Sequence, residues 1–574
     1  MPVLVIQNLK INKETGKIIS GSASIKESRY IPKSEWVTPS DPSKKPYHSK
    51  SVTREGLGRV LFLAEDRKSG IFQSPTRGII HYDVLKDEFS EVSKTDERIS
   101  HLTGELFPDP PIHTVFGDVY LFLHFLQSSG LQGILRTAFP DGDTYERLLM
   151  HTIHGILKDG SHIHCDSFIR KSFASYLIKD VPLSSLACDT KFYTAMGSDE
   201  ARLAFFREFV TYMKSKDPSF GKGCFVDSTP LPNDIENNPF NALCSHGVTN
   251  TSVQTRLVLI LDEGTGLPVW YEVIPGNVLD LSTIMNIAEN VYTSIGITIE
   301  SMTLDAGYVT KELIMSLSLF DEDGNEKKAV TEDEEEAKKN VQKIIARMPA
   351  KKGYPYRELY EKNKRNIENH KNDILREGHS YFGKREEIEL FGTKIYAYIY
   401  LDRLTAQVRY IEYLKKHEDD FEKMTAKEKN WQAVKNGYFV LLSNKERTPK
   451  ELLTEYFERT QIESVFKTSK EYLQLLPLSK WSETTVRGKI LHDIIDTIIL
   501  LQLRKQLHGS GRSTTELFGT SQSWMCFYSE RIDEVVAETP NAQVKELCKL
   551  LGIKKIPSSI PKFRNYIDRI YKVK

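Results

Sequence analysis

The chain has 574 residues, 40% of them hydrophobic and 27% charged, which excludes a single small binding module and a globally disordered chain. Lysine plus arginine and aspartate plus glutamate number 78 each, so the net charge is zero and any surface for a polyanion must be local. Six cysteines (Cys165, Cys188, Cys224, Cys244, Cys526 and Cys548) form no Cys-x-x-Cys pair, which argues against a disulfide framework and a four-cysteine zinc site. The first residues, MPVLVIQNLKINKETGK, lack a basic start followed by a long apolar run, so no secretory signal is expected. The most apolar later stretch, Ile490 to Leu503, is interrupted by His492, Asp493 and Asp496 and is too short to span a bilayer. A cytoplasmic protein that does not enter a membrane is expected.

Residues 1–110 mix short alternating apolar runs (VLVIQNL, RVLFLAED, GIIHYDVL) with the polar stretch WVTPSDPSKKPYHSKS, which predicts a small strand-rich module with an exposed loop. Helical spacing then governs 111–217, as in VYLFLHFLQSSGLQGIL and ARLAFFREFVTYMKS. This helical region is the candidate DNA-binding domain, with DSFIRKSFASYLI, carrying Arg170 and Lys171, as a possible recognition helix. Within it His151, His154, His162, His164 and Cys165 crowd together; imidazole with thiolate suits zinc, but the spacing matches no standard finger and ordinary helix-end histidines are expected.

At Gly223 the period changes. GCFVDST reads as a buried strand, RLVLILDEGTGLPVWYEVIPG as two strands around a glycine turn, DLSTIMNIAENVYTSI as a helix and ITIESMTLDAGY as a further strand. The fold class is therefore α/β, of mixed α+β type, with helices packed on a mixed sheet. Residues 321–336 carry nine acids against two lysines and predict a solvated loop. From 338 to 376 the sign reverses, twelve lysines and arginines against four acids, with Tyr354, Tyr356 and Tyr360 among them. Phosphate contact by the cations and base stacking by the tyrosines would make this a DNA surface, against the alternative of a solvated charged helix. We read 350–435 as a strand-rich insertion, 218–349 with 436–510 as the sheet domain that it interrupts, and 511–574 as a helical C-terminal tail. His492 is expected on a helix face beside the core, outside the site.

The segment TPKELLTEYFERTQIESVFKTSKEYLQLL opens with Thr448, Pro449 and Glu451, a capping box with proline at the first helical position. At 100° per residue, Tyr456, Arg459, Glu463 and Lys470 then project from a strip about 60° wide. Such a face could be merely solvated and ion-paired. Two divalent metals roughly 4 Å apart, however, can clamp the attacking and leaving oxygens of a phosphodiester, and they need hard oxygen ligands converging from separate elements. Asp227, Asp305 and Glu463 meet that requirement; the alternative is that the two strand-end aspartates cap neighbouring turns.

These residues resemble those of the DDE transposases of bacterial insertion sequences, specifically the insertion-sequence-four group. The family's pattern of Tyr, two residues, Arg, three, Glu, six, Lys is matched by Tyr456, Arg459, Glu463 and Lys470. Its first aspartate, followed by a small polar residue, is matched in FVD227ST, and its second, before a glycine turn, in LD305AGY. Gly276, Asn277 and Asp280 resemble the block between them. The resemblance covers about 220 to 510 and implies a ribonuclease H-like fold with a strand-rich insertion between the second aspartate and the glutamate. It implies that Asp227, Asp305 and Glu463 are catalytic and ligate two Mg²⁺ ions, for which Mn²⁺ can substitute. Tyr456, Arg459 and Lys470 would contact phosphates of the transposon end, and Trp431, the only tryptophan between Trp270 and Trp481, would meet a flipped base or pack the insertion onto the core.

The function so implied is cut-and-paste DNA transposition on the nucleoid. Metal-dependent hydrolysis at the transposon end would be followed by attack of the freed 3′-hydroxyl on target DNA. The partners would be double-stranded DNA with terminal inverted repeats, target DNA and a second copy of the chain on the paired end. A catalytically silent DNA-binding regulator derived from a transposase is the alternative, and a nuclease without strand transfer is a third reading.

Overall fold

The computed structural model describes the chain except residues 1, 13–15, 31, 33–48, 94–95, 103–112, 159–160, 179–180, 234–237, 239, 244–252, 278–281, 317–342, 418–422 and 572–574. The polar stretch around 36–48, the acidic 321–336 loop, Asp280 and the first residues of the basic stretch thus lie outside the described residues. The fold is mixed α/β, with three sheets and many helices, and the chain divides into two compact units, 1–198 with 502–574 and 199–501.

In the first unit, β1 (Val3–Ile11), β2 (Ile18–Tyr30), β3 (Ser49–Leu63), β4 (Ser69–Ser74), β5 (Gly78–Asp83) and β6 (Glu88–Glu91) form one antiparallel sheet in sequence order. Its alternating residues Ile25, Leu57, Val60, Phe72 and Tyr82 are buried together. After β7 (Thr114–Val115) come α1 (Gly117–Ser128), α2 (Leu131–Ala138) and α3 (Gly142–Lys158), whose apolar faces supply most of the helical core. The expected recognition helix is not continuous: Cys165–Ile169 is a five-residue helix, Arg170 and Lys171 lie in the turn after it, and Phe173–Tyr176 is a single 3₁₀ turn. Side chains explain the break, since Phe173, Ala174 and Tyr176 are buried and Ser172 bridges to Val115.

The C-terminal segment differs from a helical tail. It contains α12 (Thr514–Ser521), β18 (Met525–Ser529), β19 (Glu534–Ala537), α13 (Ala542–Leu550), β20 (Ser559–Pro561) and α14 (Phe563–Tyr571). These three strands and β7 make a four-stranded sheet. Trp524, buried beside Phe116 with ring centroids 4.7 Å apart, holds that junction.

The second unit begins one helix earlier than the composition suggests, with α4 (Asp199–Lys216). The reason is its aromatic face: Phe206 packs on Trp270, and the Arg202 guanidinium lies 4.6 Å over the same indole while pairing with Glu272. The unit is built on a ten-stranded sheet with β8 (Gly223–Pro232), β9 (Ala242–Leu243), β10 (Val253–Asp262), β11 (Pro268–Pro275), β12 (Ser301–Leu304), β13 (Lys343–Arg347), β14 (Asp373–Arg376), β15 (His379–Leu390), β16 (Thr393–Asp402) and β17 (Tyr438–Ser443). The order along the sheet is β11-β10-β8-β12-β13-β17-β16-β15-β14, with β9 on β10, while helix α5 (Ser282–Ile295) joins β11 to β12 and α7 (Arg403–Lys416) follows β16. Strand β10 is antiparallel to both β11 and β8, whereas β12 is parallel to both β8 and β13.

The segment read as an insertion therefore continues the same sheet, because β17 pairs with β13 on one side and β16 on the other. Over these strands lies α9 (Pro449–Glu458). Its Leu452, Leu453 and Tyr456 close a cluster with Ile345, Tyr381, Tyr398, Tyr400, Phe439 and Leu441. Burying each such large side chain contributes about 1.5–3 kcal/mol. The start of α9 is fixed twice more: the Tyr400 hydroxyl donates to the Pro449 carbonyl at 2.6 Å, and Thr448 and Glu451 complete the expected capping box. Replacing Thr448 by Ala is expected to lower stability by about 1 kcal/mol, read from the midpoint of urea unfolding, with no change in slope.

Candidate active site

Asp227 is the fifth residue of β8, and the parallel pairing of Leu304 with Val226 brings Asp305, the first residue past β12, abreast of it. Position alone does not show that these acids are available. Asp305 precedes a 3₁₀ turn, Ala306–Tyr308, yet its side chain makes no capping bond. Asp227 Oδ1 accepts only from the next backbone N–H, Ser228, at 2.8 Å, so neither acid is consumed in holding a distant turn.

The third carboxylate comes from the helical segment after β17, which differs from one straight helix. Helix α9 ends at Glu458, Arg459 sits at the junction, α10 runs Thr460–Lys467, and Thr468–Tyr472 form a π-type turn. Arg459 and Glu463 remain on the side that faces β8 and β12. Arg459 Nη1 donates to Asp227 Oδ2 at 2.7 Å, and Nη2 lies 3.9 Å from Asp305 Oδ1 and 3.8 Å from Glu463 Oε1. Three acids from three elements thus surround one guanidinium. The Tyr456 hydroxyl adds a longer bond to Asp305 Oδ1, 3.4 Å.

Exposure grades across the site. The Arg459 side chain is 10% exposed, Asp227 19%, Asp305 42% and Glu463 65%, so the cluster is closed around Arg459 and Asp227 and open at Asp305 and Glu463. Burial, reinforced by Asp305 and Glu463, pushes the Asp227 carboxyl above its ordinary range, with Arg459 and the Ser228 N–H opposing. Burial would lower the Arg459 guanidinium, but Tyr456 and the three carboxylates overcome it and raise it. Beneath the cluster Arg256 donates to the Ser228 hydroxyl at 2.9 Å, and the Tyr308 phenol is buried and held protonated. Sequence reading overlooked both residues; Arg256, an odd charge inside the apolar run of β10, was the available signal.

Lys470 is drawn inward. Its Nζ donates to Thr229 Oγ1 at 2.6 Å and to the Pro230 carbonyl at 2.7 Å, tying the π-type turn to the end of β8, and burial lowers its ammonium below the usual lysine range. The neighbouring Ser469 donates its hydroxyl to Asp493 on the long helix α11 (Glu483–Leu507), where His492 is also buried and pairs with Asp496 at 3.4 Å.

Trp431 lies on α8 (Ala426–Val434), away from the three acids in sequence. Its ring contacts Tyr356, Tyr360 and Tyr438 at centroid distances of 6.4, 5.2 and 6.0 Å, with the Arg357 guanidinium 5.3 Å from it. The tyrosines expected to offer stacking faces are inside: Tyr354, Tyr356 and Tyr360 are buried, and the first two donate their hydroxyls to the Val309 and Tyr438 carbonyls. The amphipathic spacing of α6 (Tyr356–Asn363) turns its aromatic side to the sheet and its cations to solvent. Among the described residues no two cysteines are joined in a disulfide, and no helix is long and apolar enough to cross a membrane.

Residues 218–491 match the family model described as the transposase DDE domain. This match supports a DDE transposase. It spans β8 through most of α11 and includes Asp227, Asp305, Tyr456, Arg459, Glu463 and Lys470. No curated protein is similar enough to count as a match. Among solved structures, the chain is similar to one in the cryo-EM structure of the piggyBac transposase synaptic complex with hairpin DNA. The identity is 10%, over 79% of this chain and 85% of that one, and the TM-score is 0.32.

Asp493 supplies a test of how the Lys470 turn is held. Burial raises its carboxyl to about 7, against the opposing bond from Ser469, so the folded protein holds this proton more tightly than the unfolded chain. Its contribution to stability is therefore greatest below the ordinary aspartate value of 3.8 and declines as pH rises through about 7. Asp493→Asn keeps an acceptor for Ser469 and is expected to flatten the stability profile over that window, measured by urea unfolding at successive pH values.

Proposed function

We propose that this chain is a DNA transposase whose second unit hydrolyses a phosphodiester at a transposon end and joins the freed 3′-hydroxyl to target DNA. The observation that carries the reading is the convergence of Asp227, Asp305 and Glu463 on the single cation of Arg459. Mg²⁺ and Mn²⁺ prefer hard oxygen donors, and carboxylates from a strand, a strand exit and a helix supply them around a point that already accommodates positive charge. Bound by these three side chains, two such ions would supply Lewis-acid stabilisation of the attacking and leaving oxygens. The order β11-β10-β8-β12-β13, antiparallel across its first three strands and parallel across its last three, favours a ribonuclease H-like core.

The chain's own groups divide the remaining work. Asp227 and Asp305 are fixed by a paired sheet, which gives them a rigid spacing, while Glu463, the most exposed, stands where a duplex must approach. Arg459 keeps the acids together and offers its remaining N–H groups to a scissile phosphate; Lys470 is the second phosphate contact. Tyr456, buried under α9, orients Asp305. We assign Trp431 to packing, on the strength of its three tyrosine neighbours. Terminal inverted repeats and a second copy of the chain on the paired end complete the proposed assembly.

The deciding experiment uses purified full-length protein with Mg²⁺ or Mn²⁺ on labelled duplex carrying the repeats that flank its own gene. Wild type is expected to nick the element end and transfer it to target DNA, whereas Asp227→Ala and Glu463→Gln lose both activities and retain DNA binding. Metal-dependent cleavage that survives in both variants would overturn the site; binding without cleavage by wild type would favour the silent regulator.

Lys470 gives a separate expectation. As a phosphate contact, its change to Ala should weaken binding equally across end sequences and lower the slope of log affinity against log salt by about 1. An unchanged slope would leave it only the tether to β8.

A further inference from the structure

Outside the carboxylate site, one cluster among the described residues brings three soft or borderline metal-ligating atoms together. His151 on α3, His162 in the 3₁₀ turn His162–His164 and Cys188 at the start of the π-type turn Cys188–Phe192 have ligand atoms all within 4.8 Å of one another. Spacing could not reveal this set. The histidine-rich run suggested Cys165 as the thiol, whereas the fold brings in Cys188 from a later segment.

The surroundings suit a closed site. His151 and Cys188 are buried and His162 is half-buried. The His151 ring stacks on Phe192 at 5.0 Å, and His162 meets His151 and Tyr193 edge-on at 5.3 and 5.8 Å. One turn beyond His151 on the same helix, His154 is fully buried, its ring 6.3 Å from that of His162 and both of its nitrogens without a hydrogen-bond partner in the described structure. A buried imidazole with no partner carries the desolvation penalty of an unsatisfied polar group, and a metal bond would remove it.

We propose that His151, His162 and Cys188, with His154 as fourth ligand, bind one structural Zn²⁺ that ties α3 to the two turns that follow it. Thiolate plus imidazole is a zinc donor set, and hard cations such as Mg²⁺ avoid it. In a tetrahedral site with bonds of about 2.0–2.3 Å, ligand atoms stand roughly 3.5 Å apart, against a spread of at most 4.8 Å among the atoms of His151, His162 and Cys188. Zinc binding would release the thiol proton of Cys188 to solvent, with no change of oxidation state.

Full-length protein purified without chelator is expected to hold about one zinc per chain by elemental analysis. Cobalt-exchanged protein is expected to show the near-ultraviolet charge-transfer band of a thiolate ligand. Cys188→Ser should lose that band, and His154→Ala should bind zinc about 10- to 100-fold more weakly in competition with a chromophoric chelator. Asp227→Ala, in the other unit, should keep the zinc, so a failed catalytic assignment leaves this result unaffected. Wild type with no zinc and no thiolate–cobalt band, a reading that requires no variant to fold, would overturn the proposal. A cobalt band unchanged in Cys188→Ser would do the same, and unchanged affinity in His154→Ala would overturn its place as fourth ligand.

Discussion

Three carboxylates held around one point repel one another, and the Arg459 guanidinium is what makes that arrangement compatible with a folded chain. Its strongest bond goes to the acid most removed from water, Asp227, and its longer contacts go to the two that solvent already screens. Charge compensation is therefore graded with burial, as electrostatics requires if no acid is to be left both dehydrated and unpaired. Arg459 stands at the break between two helices, so its position depends on α9 before it and on the anchored turn after it.

That dependence explains why so much of the unit is aromatic sheet. The cluster beneath α9 draws Tyr381, Tyr398, Tyr400 and Phe439 from strands far from the acids in sequence, and Tyr456 belongs to it while reaching Asp305 with its hydroxyl. A single side chain thus joins the hydrophobic core to the polar site. Strands that look like an accessory in the sequence are the floor on which the glutamate-bearing helices rest.

Where local chemistry decides the structure, the sequence was readable. Thr448, Pro449 and Glu451 announce a helix start because a capping box is a contact between residues three apart, and β8, β10 and β11 announce themselves by apolar runs around a glycine turn. Long-range pairing was not readable. Nothing within Asp373–Asp402 states that its strands join the central sheet through β17, and the C-terminal strands, three to five residues long, are too short for alternation to register. The wheel that put Lys470 on one face with Glu463 assumed regular α-geometry, which ends at Lys467. The tyrosines at 354, 356 and 360 misled because charge dominates their neighbourhood in sequence, although in space their rings are buried.

The pairing of β13 with β17 has a topological consequence. Ile345 lies opposite Ser443, and the Met348 N–H bonds to the Val440 carbonyl, so the chain departs from β13, forms the far strands β14, β15 and β16 of the same sheet, and returns beside β13 as β17. Neighbouring strands stand about 4.8 Å apart, so the two ends of everything between them are already joined by backbone hydrogen bonds. Chain length added or removed at an exposed turn within that excursion leaves the registers of β8, β12 and β13 unaltered, and closing the longer loop costs only logarithmically more entropy. This stretch of the molecule can diverge in size between relatives while the spacing of the acids stays fixed.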